Sequence, residues 1–288
     1  MNHFLLLFLV LLSILVWLIY YSPRYLPITI IGNKDSFNNN KKENMENNIK
    51  ILNLVLYSRD SEEYDYMKRI TEEYYKNFKN VKTVYYAFSE TITSPYKLEN
   101  NVLLVKGKES YVPGIIEKTK KAFLYFKDDY NKYDYVVRSN ISTIINFELL
   151  SQELSKNPID YGSGLTFSVQ SFDVDNSNEK IYDVNFASGT SIIMSKKVIK
   201  NIINNIGNVR NDIIDDVSIG VFIKDYMPDI KMKQIVPDKF TFVPNYDGNY
   251  DKVYDHVNNK DFIFYRNRSD AERSIDAIQM SQIVNIIS

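Results

Sequence analysis

Residues 51–57 read Ile-Leu-Asn-Leu-Val-Leu-Tyr, a short and almost unbroken apolar run. A strand buried on both faces has this composition, because neither face meets solvent. The chain then offers Asp60 or Ser61 as a helix cap, followed by Tyr64, Met67, Ile70, Tyr74 and Phe78 on one stripe. Residues 81–88 and 102–105 are two further apolar strand candidates. Strand, amphipathic helix and strand in succession is the unit of a parallel sheet, so this stretch sets the class as α/β.

The alternation continues toward the C-terminus. Pro113 opens a helix at its first turn, with Ile116, Thr119, Ala122 or Phe123, and Phe126 facing inward. Residues 133–137 (YDYVV) read as a strand ending at Arg138, and 146–154 as a short helix. Strands follow at 165–169 and 190–194, and Ser195 caps a helix to Asn205. A helix over 215–225, a strand over 261–265 and an amphipathic helix over 270–287 complete the pattern. It predicts a mostly parallel sheet with helices on both faces. No internal repeat is present. Such sheets bind ligands beyond the carboxyl ends of their strands, so residues just after strand ends are the first site candidates.

Toward the N-terminus, residues 4–21 read FLLLFLVLLSILVWLIYY, 18 residues without a charge. That is about the minimum to cross ~30 Å of hydrocarbon. Trp17, Tyr20 and Tyr21 fall where an aromatic belt belongs. A cleaved signal peptide has a shorter apolar region and a small-x-small site, so the expectation is a transmembrane signal-anchor over 4–21. Residues 22–48 read as a flexible Asn-rich stem, and 49–288 as the globular domain. Arg24, Lys34, Lys41 and Lys42 beyond the anchor favour a cytosolic domain by the positive-inside rule.

Composition removes several kinds of chemistry. With no Cys, thiol nucleophiles, iron–sulfur clusters, Cys-ligated zinc and disulfides are out. Two His give no basis for a His-rich metal site, and His256 is the one imidazole away from the anchor. A net charge of -1 argues against nucleic-acid binding. Neither GxxxxGK[ST], GxGxxG nor GxSxG occurs. Heavy use of Asn, Ile, Lys and Tyr fits an AT-rich genome such as a viral or protist one.

Four groups of polar residues remain. Asp215-Asp216 follows Ile213-Ile214 and opens a helix. The pair reads as a cap with a favourable dipole charge of ~0.5–2 kcal/mol, or as paired carboxylates with one serving as general base. Two adjacent acids cannot both be deeply buried without partners, so one is read as cap and the other as free. Arg138 beside its strand end can grip a phosphate or form an ordinary ion pair. Asp173-Val174-Asp175 is the one Asp-x-Asp, but its Asn- and Ser-rich surroundings read as a solvated turn rather than a cation site. Asn140-Ile141-Ser142 and Asn267-Arg268-Ser269 are sequons, relevant to a lumenal domain.

Taken in order, these pieces carry a resemblance. Glu109-Ser110-Tyr111 precedes Lys118-Thr119; Tyr133 to Arg138 runs into Ser139-Asn140-Ile141-Ser142 and Ile145-Asn146. Phe186-Ala187-Ser188-Gly189 precedes Ile192-Ile193-Met194-Ser195, and Asp215-Asp216-Val217-Ser218-Ile219-Gly220 comes last. Over about residues 51 to 230 the series resembles the inverting β-1,3-galactosyltransferase and Fringe-like glycosyltransferases. The resemblance implies a GT-A fold on a single-pass type II anchor, with a lumenal Golgi or ER domain. It implies transfer of a hexose or N-acetylhexosamine from a UDP-sugar to a hydroxyl of a glycan or glycoprotein, with inversion. Asp216 would be the general base, and Asp215 would cap the helix or support its neighbour. Arg138, Asn140, Ser142, Lys118 and Arg59 would lie on the donor side, with Ser188 and Gly189 letting the backbone approach donor or acceptor.

The chain departs from the family where the metal-binding aspartates belong. Asn140 and Ser142 stand there, and neutral oxygens bind Mn²⁺ or Mg²⁺ far more weakly than carboxylates. Three readings stay open. The enzyme works without metal, with Arg138 or Lys118 neutralising the diphosphate. Other groups hold the metal. Or the chain is a catalytically inactive, membrane-anchored sugar- or nucleotide-binding relative.

Overall fold

The apolar runs at 51–57 and 81–88 lie side by side. In the computed structural model, which describes residues 49–174, 179–268 and 272–288, β1 (Ile51–Leu56) pairs in parallel with β2 (Val81–Ser89). The crossover is α1 (Glu62–Tyr75), started by Ser61, whose hydroxyl accepts the Tyr64 N–H at 3.2 Å. Edge strand β3 (Tyr96–Glu99) turns back to β4 (Val102–Lys106), and β4 pairs in parallel with β2. After α2 (Gly114–Tyr125) the chain crosses to the other side of β1 as β5 (Tyr135–Asn140), again parallel.

The chain leaves β5 directly into β6 (Thr143–Ile145) and α3 (Phe147–Lys156). β7 (Tyr161–Ser163) precedes a hairpin, β8 (Thr166–Asp173) with β9 (Lys180–Ala187). β10 (Ser191–Ser195) enters the large sheet antiparallel to both β5 and β7. α4 (Lys196–Asn204), α5 (Asp215–Tyr226) and β11 (Met232–Gln234) follow, and then β12 (Phe240–Val243), α6 (Tyr250–Val257), β13 (Phe264–Asn267) and α7 (Arg273–Ile287). The large sheet has the order β11-β7-β10-β5-β1-β2-β4-β3, and β12-β13-β6 form a second sheet.

The two sides of the strands face two cores. Ile51, Val55, Tyr85 and Val137 pack with residues of α1, α3, α6 and α7. Leu52, Leu54, Tyr86 and Val136 pack with residues of α2, α4 and α5. The α/β class, the parallel centre β4-β2-β1-β5 and the helices on both faces stand as read. Because β1 has neighbours reached by crossovers in opposite directions, a crevice opens at the carboxyl ends of β1 and β5.

Several boundaries differ. The strand read at 133–137 lies at 135–140, so Arg138 is inside it rather than at its end. The charge did not stop the strand because it is neutralised where it is buried. The short strands β6, β7, β11 and β12 are too brief to carry a readable period, whereas the strand β9 and the helix α6, with Val253 and Val257 on one face, are not among the elements read from the sequence although their patterns are present. The proposed anchor 4–21, the stem 22–48 and Asp175 lie outside the described residues. Among the described residues no helix is long and apolar enough to cross a membrane.

Candidate functional site

The crevice is a cleft of about 820 Å³. Its floor is the end of β1 and β5, its far wall the loop between β9 and β10 with the start of α5, and its rim includes β12 and β13. Asp215, Asp216, Arg138, Asn140, Ser142, Lys118, Ser188 and Gly189 all line it. Arg59 does not. Its neighbours Ser58 and Asp60 line the cleft, and Arg59 is exposed outside the lining.

Arg138 organises the far wall. It is 1% exposed, and its Nη2 ion-pairs with Asp215 Oδ2 at 2.5 Å. Its Nη1 donates to the Gly189 carbonyl at 2.5 Å and to Asn140 Oδ1 at 2.8 Å. Burial works against this cation, but Asp215, Tyr86 and Asp216 outweigh it and raise the guanidinium further above its usual range. Asp215 is therefore not a helix cap: Ile214 takes the cap position without a side-chain bond, and Asp215 turns inward to the arginine.

Asp216 is half-buried and faces the cleft. Its Oδ2 accepts the Gly189 N–H at 3.0 Å, and its Oδ1 accepts the Val217 N–H at 2.9 Å. Its carboxyl is pushed up to about 6, by burial first and by the Asp215 charge second; the Gly189 N–H, Arg138 and the Val217 N–H oppose the shift. Gly189 is required by these partners rather than by a ligand. A Cβ there would sit 2.8 Å from Arg138 Nη1 and 3.4 Å from Asp216 Oδ2.

Lys118 is also committed. It is 2% exposed, and its Nζ donates to both Glu109 oxygens at 2.8 and 2.6 Å and to the Tyr57 carbonyl at 2.8 Å. Burial pulls its ammonium below the ordinary range, with Glu109 opposing. Glu109 in turn accepts the Phe88 N–H at 3.0 Å, so the pair fastens the 109–111 loop to the ends of β1 and β2. His256 bonds Thr241 and Tyr246 and is not among the cleft residues.

Asn140 and Ser142 do not fit a divalent cation. Asn140 Oδ1 accepts from Arg138, and Ser142 Oγ accepts from Arg266 Nη1 at 2.5 Å. A cation on those oxygens would sit against two guanidinium groups. Among the described residues, no three of Asp, Glu, His and Cys gather to hold a metal.

Arg266 is the residue that sequence reasoning missed, together with Arg268 and Arg273, which line the same cleft. Placing a strand at 261–265 puts Arg266 and Arg268 just past a strand end, the same signal that singled out Arg138. The rim also presents exposed aromatic rings, Tyr111, Phe167 and Phe242.

No protein-family model matches this chain, and no curated protein matches it. Among solved structures, the chain is similar to a glycosyltransferase involved in the glycosylation of the major capsid of PBCV-1. The two are 12% identical with a TM-score of 0.43, over 80% of this chain and 98% of the other. No chemistry is carried over from a likeness of that degree.

Proposed function

We propose that the chain is an inverting glycosyltransferase, moving a hexose or N-acetylhexosamine from a UDP-sugar to a hydroxyl of a glycan or glycoprotein. The observation that carries this reading is Asp216. It is a cleft-facing carboxyl held by the Gly189 N–H and raised to about 6, the range in which a carboxylate is basic enough to work and still ionised at neutral pH. The acceptor oxygen forms a bond to the anomeric carbon while Asp216 takes its proton. The bond from that carbon to the diphosphate breaks, and the diphosphate leaves with the electron pair. Arg138 and Asp215 position the base and do not touch substrate in this scheme. The exposed rings of Tyr111, Phe167 and Phe242 offer apolar faces to the C–H side of an acceptor sugar.

The reading includes a single-pass anchor at 4–21 and a lumenal domain, as the family resemblance implies. The charges at Arg24, Lys34, Lys41 and Lys42 support the cytosolic alternative. The test of function is UDP release by the full-length chain over a panel of UDP-sugars, alongside Asp216→Asn. Turnover that falls about 10²–10⁴-fold in the variant supports the transferase. Binding of UDP without turnover of any donor would select the inactive binding relative instead.

A further inference from the structure

Arg266 holds its charge in an unusual setting. It is 7% exposed, and its Nη1 donates to two hydroxyls, Ser142 Oγ at 2.5 Å and Thr143 Oγ1 at 3.4 Å. Among the described residues no carboxylate pairs with it. The Asp276 carboxylate attracts it without forming an ion pair with it, and a buried cation compensated only in this way is costly. Its guanidinium is lowered to about 10, by burial first and then by the charges of Arg273 and Arg268, with the Asp276 charge opposing. Arg273 pairs with Asp276 at 2.7 Å. Two further cations of the cleft are held by carboxylates, Arg138 by Asp215 and Lys118 by Glu109. A cleft wall that carries three guanidinium groups is complementary to a polyanion, and arginine forks match phosphate oxygens two at a time.

We propose that Arg266, with Arg268 and Arg273 beside it, binds the diphosphate of the nucleotide donor and carries the charge that a divalent cation would otherwise supply. This rests on the nucleotide-sugar reading of the cleft. When the bond to the anomeric carbon breaks, the diphosphate gains one negative charge. Arg266, already fixed by Ser142 and Thr143, meets that charge without having to reorganise. Ser142 thus orients a cation by accepting a hydrogen bond, where an aspartate would have ligated one.

The test is calorimetric binding of uridine diphosphate and of inorganic pyrophosphate to the full-length chain in EDTA, for wild type, Arg266→Gln, Arg266→Lys and Arg268→Gln. The expected result is binding of both ligands without metal, weakened at least tenfold in Arg266→Gln, with Arg266→Lys in between. Thermal melting reports whether each variant is folded. If Arg266→Gln does not fold, Arg268→Gln, on an exposed side chain, carries the test with an expected loss of a few fold. Binding that appears only with Mn²⁺, or affinities unchanged in every folded variant, overturns the proposal. Arg266-dependent pyrophosphate binding without sugar transfer from any donor keeps this inference and sinks the transferase reading. Asp216-dependent transfer that needs Mn²⁺ and ignores Arg266 does the reverse.

Discussion

The Asp216 carboxyl sits beside the Asp215 charge in a half-buried position, and both circumstances favour the proton, so its pH dependence has a definite sign. As general base it works only when ionised. Transfer measured as kcat/KM is therefore expected to be flat near pH 7.5 and to fall about tenfold per pH unit below about 6. The same shift acts on stability in the opposite direction. Because the folded state binds this proton more tightly than the unfolded chain does, acidification through about 6 toward the ordinary carboxylate value favours the folded state at this site. Arg138 is a different case, since its partner is buried with it. Arg138→Met leaves the Asp215 carboxylate without its counter-charge and is expected to cost about 3–5 kcal/mol in denaturant unfolding. Adding Asp215→Asn to that variant should recover part of the loss; strictly additive costs would refute the pairing. The acidic pair and Arg138 were legible as candidates from their positions, but their division of labour was not. Nothing in the order of residues says that Asp215 turns inward and Asp216 outward, because that depends on where β5 passes beneath α5.

Elements were legible where two independent signals agreed. Ser61 and Ser195 each combined a capping hydroxyl with an apolar stripe, and both accept the expected backbone N–H. The parallel centre was legible from apolar runs separated by amphipathic helices. Of the strands of three or four residues only β13 was legible, because so short a segment has little period to read. That gap hid the second sheet, and with it the register Arg266↔Thr143 that brings Arg266 to Ser142. The docking of α5 on β9 can be tested directly. Gly220, on α5, would bring a Cβ to 2.6 Å from Phe186 Cβ and 2.8 Å from the Asn185 carbonyl. These atoms are fixed to the β9 backbone and have little room to yield, so Gly220→Ala is expected to destabilise by about 1–3 kcal/mol and lower the melting temperature. A melting temperature equal to wild type would mean that α5 can slide on the hairpin.

At the scale of the molecule, a chain of net charge -1 keeps a local cluster of arginines at one cleft, so its ligand chemistry is invisible in the total. The sequons lose their value as reporters of orientation. Asn267 is 0% exposed, and Asn140 is held by Arg138 inside the cleft. Mass spectrometry of the folded full-length chain is expected to find both unmodified; a glycan on Asn267 would be incompatible with this packing. One direct link between the two sheets is β5 running on into β6. Arg138, which steadies the base, and Ser142, which steadies Arg266, are carried on that stretch. A single inserted residue there would slip β6 against β13, where Thr143 meets Arg266, and would uncouple the proton-accepting wall from the anion-binding wall in one step. The reach of this segment is in effect a ruler, and a lineage could retune the cleft by exchanging side chains along it far more readily than by changing its length.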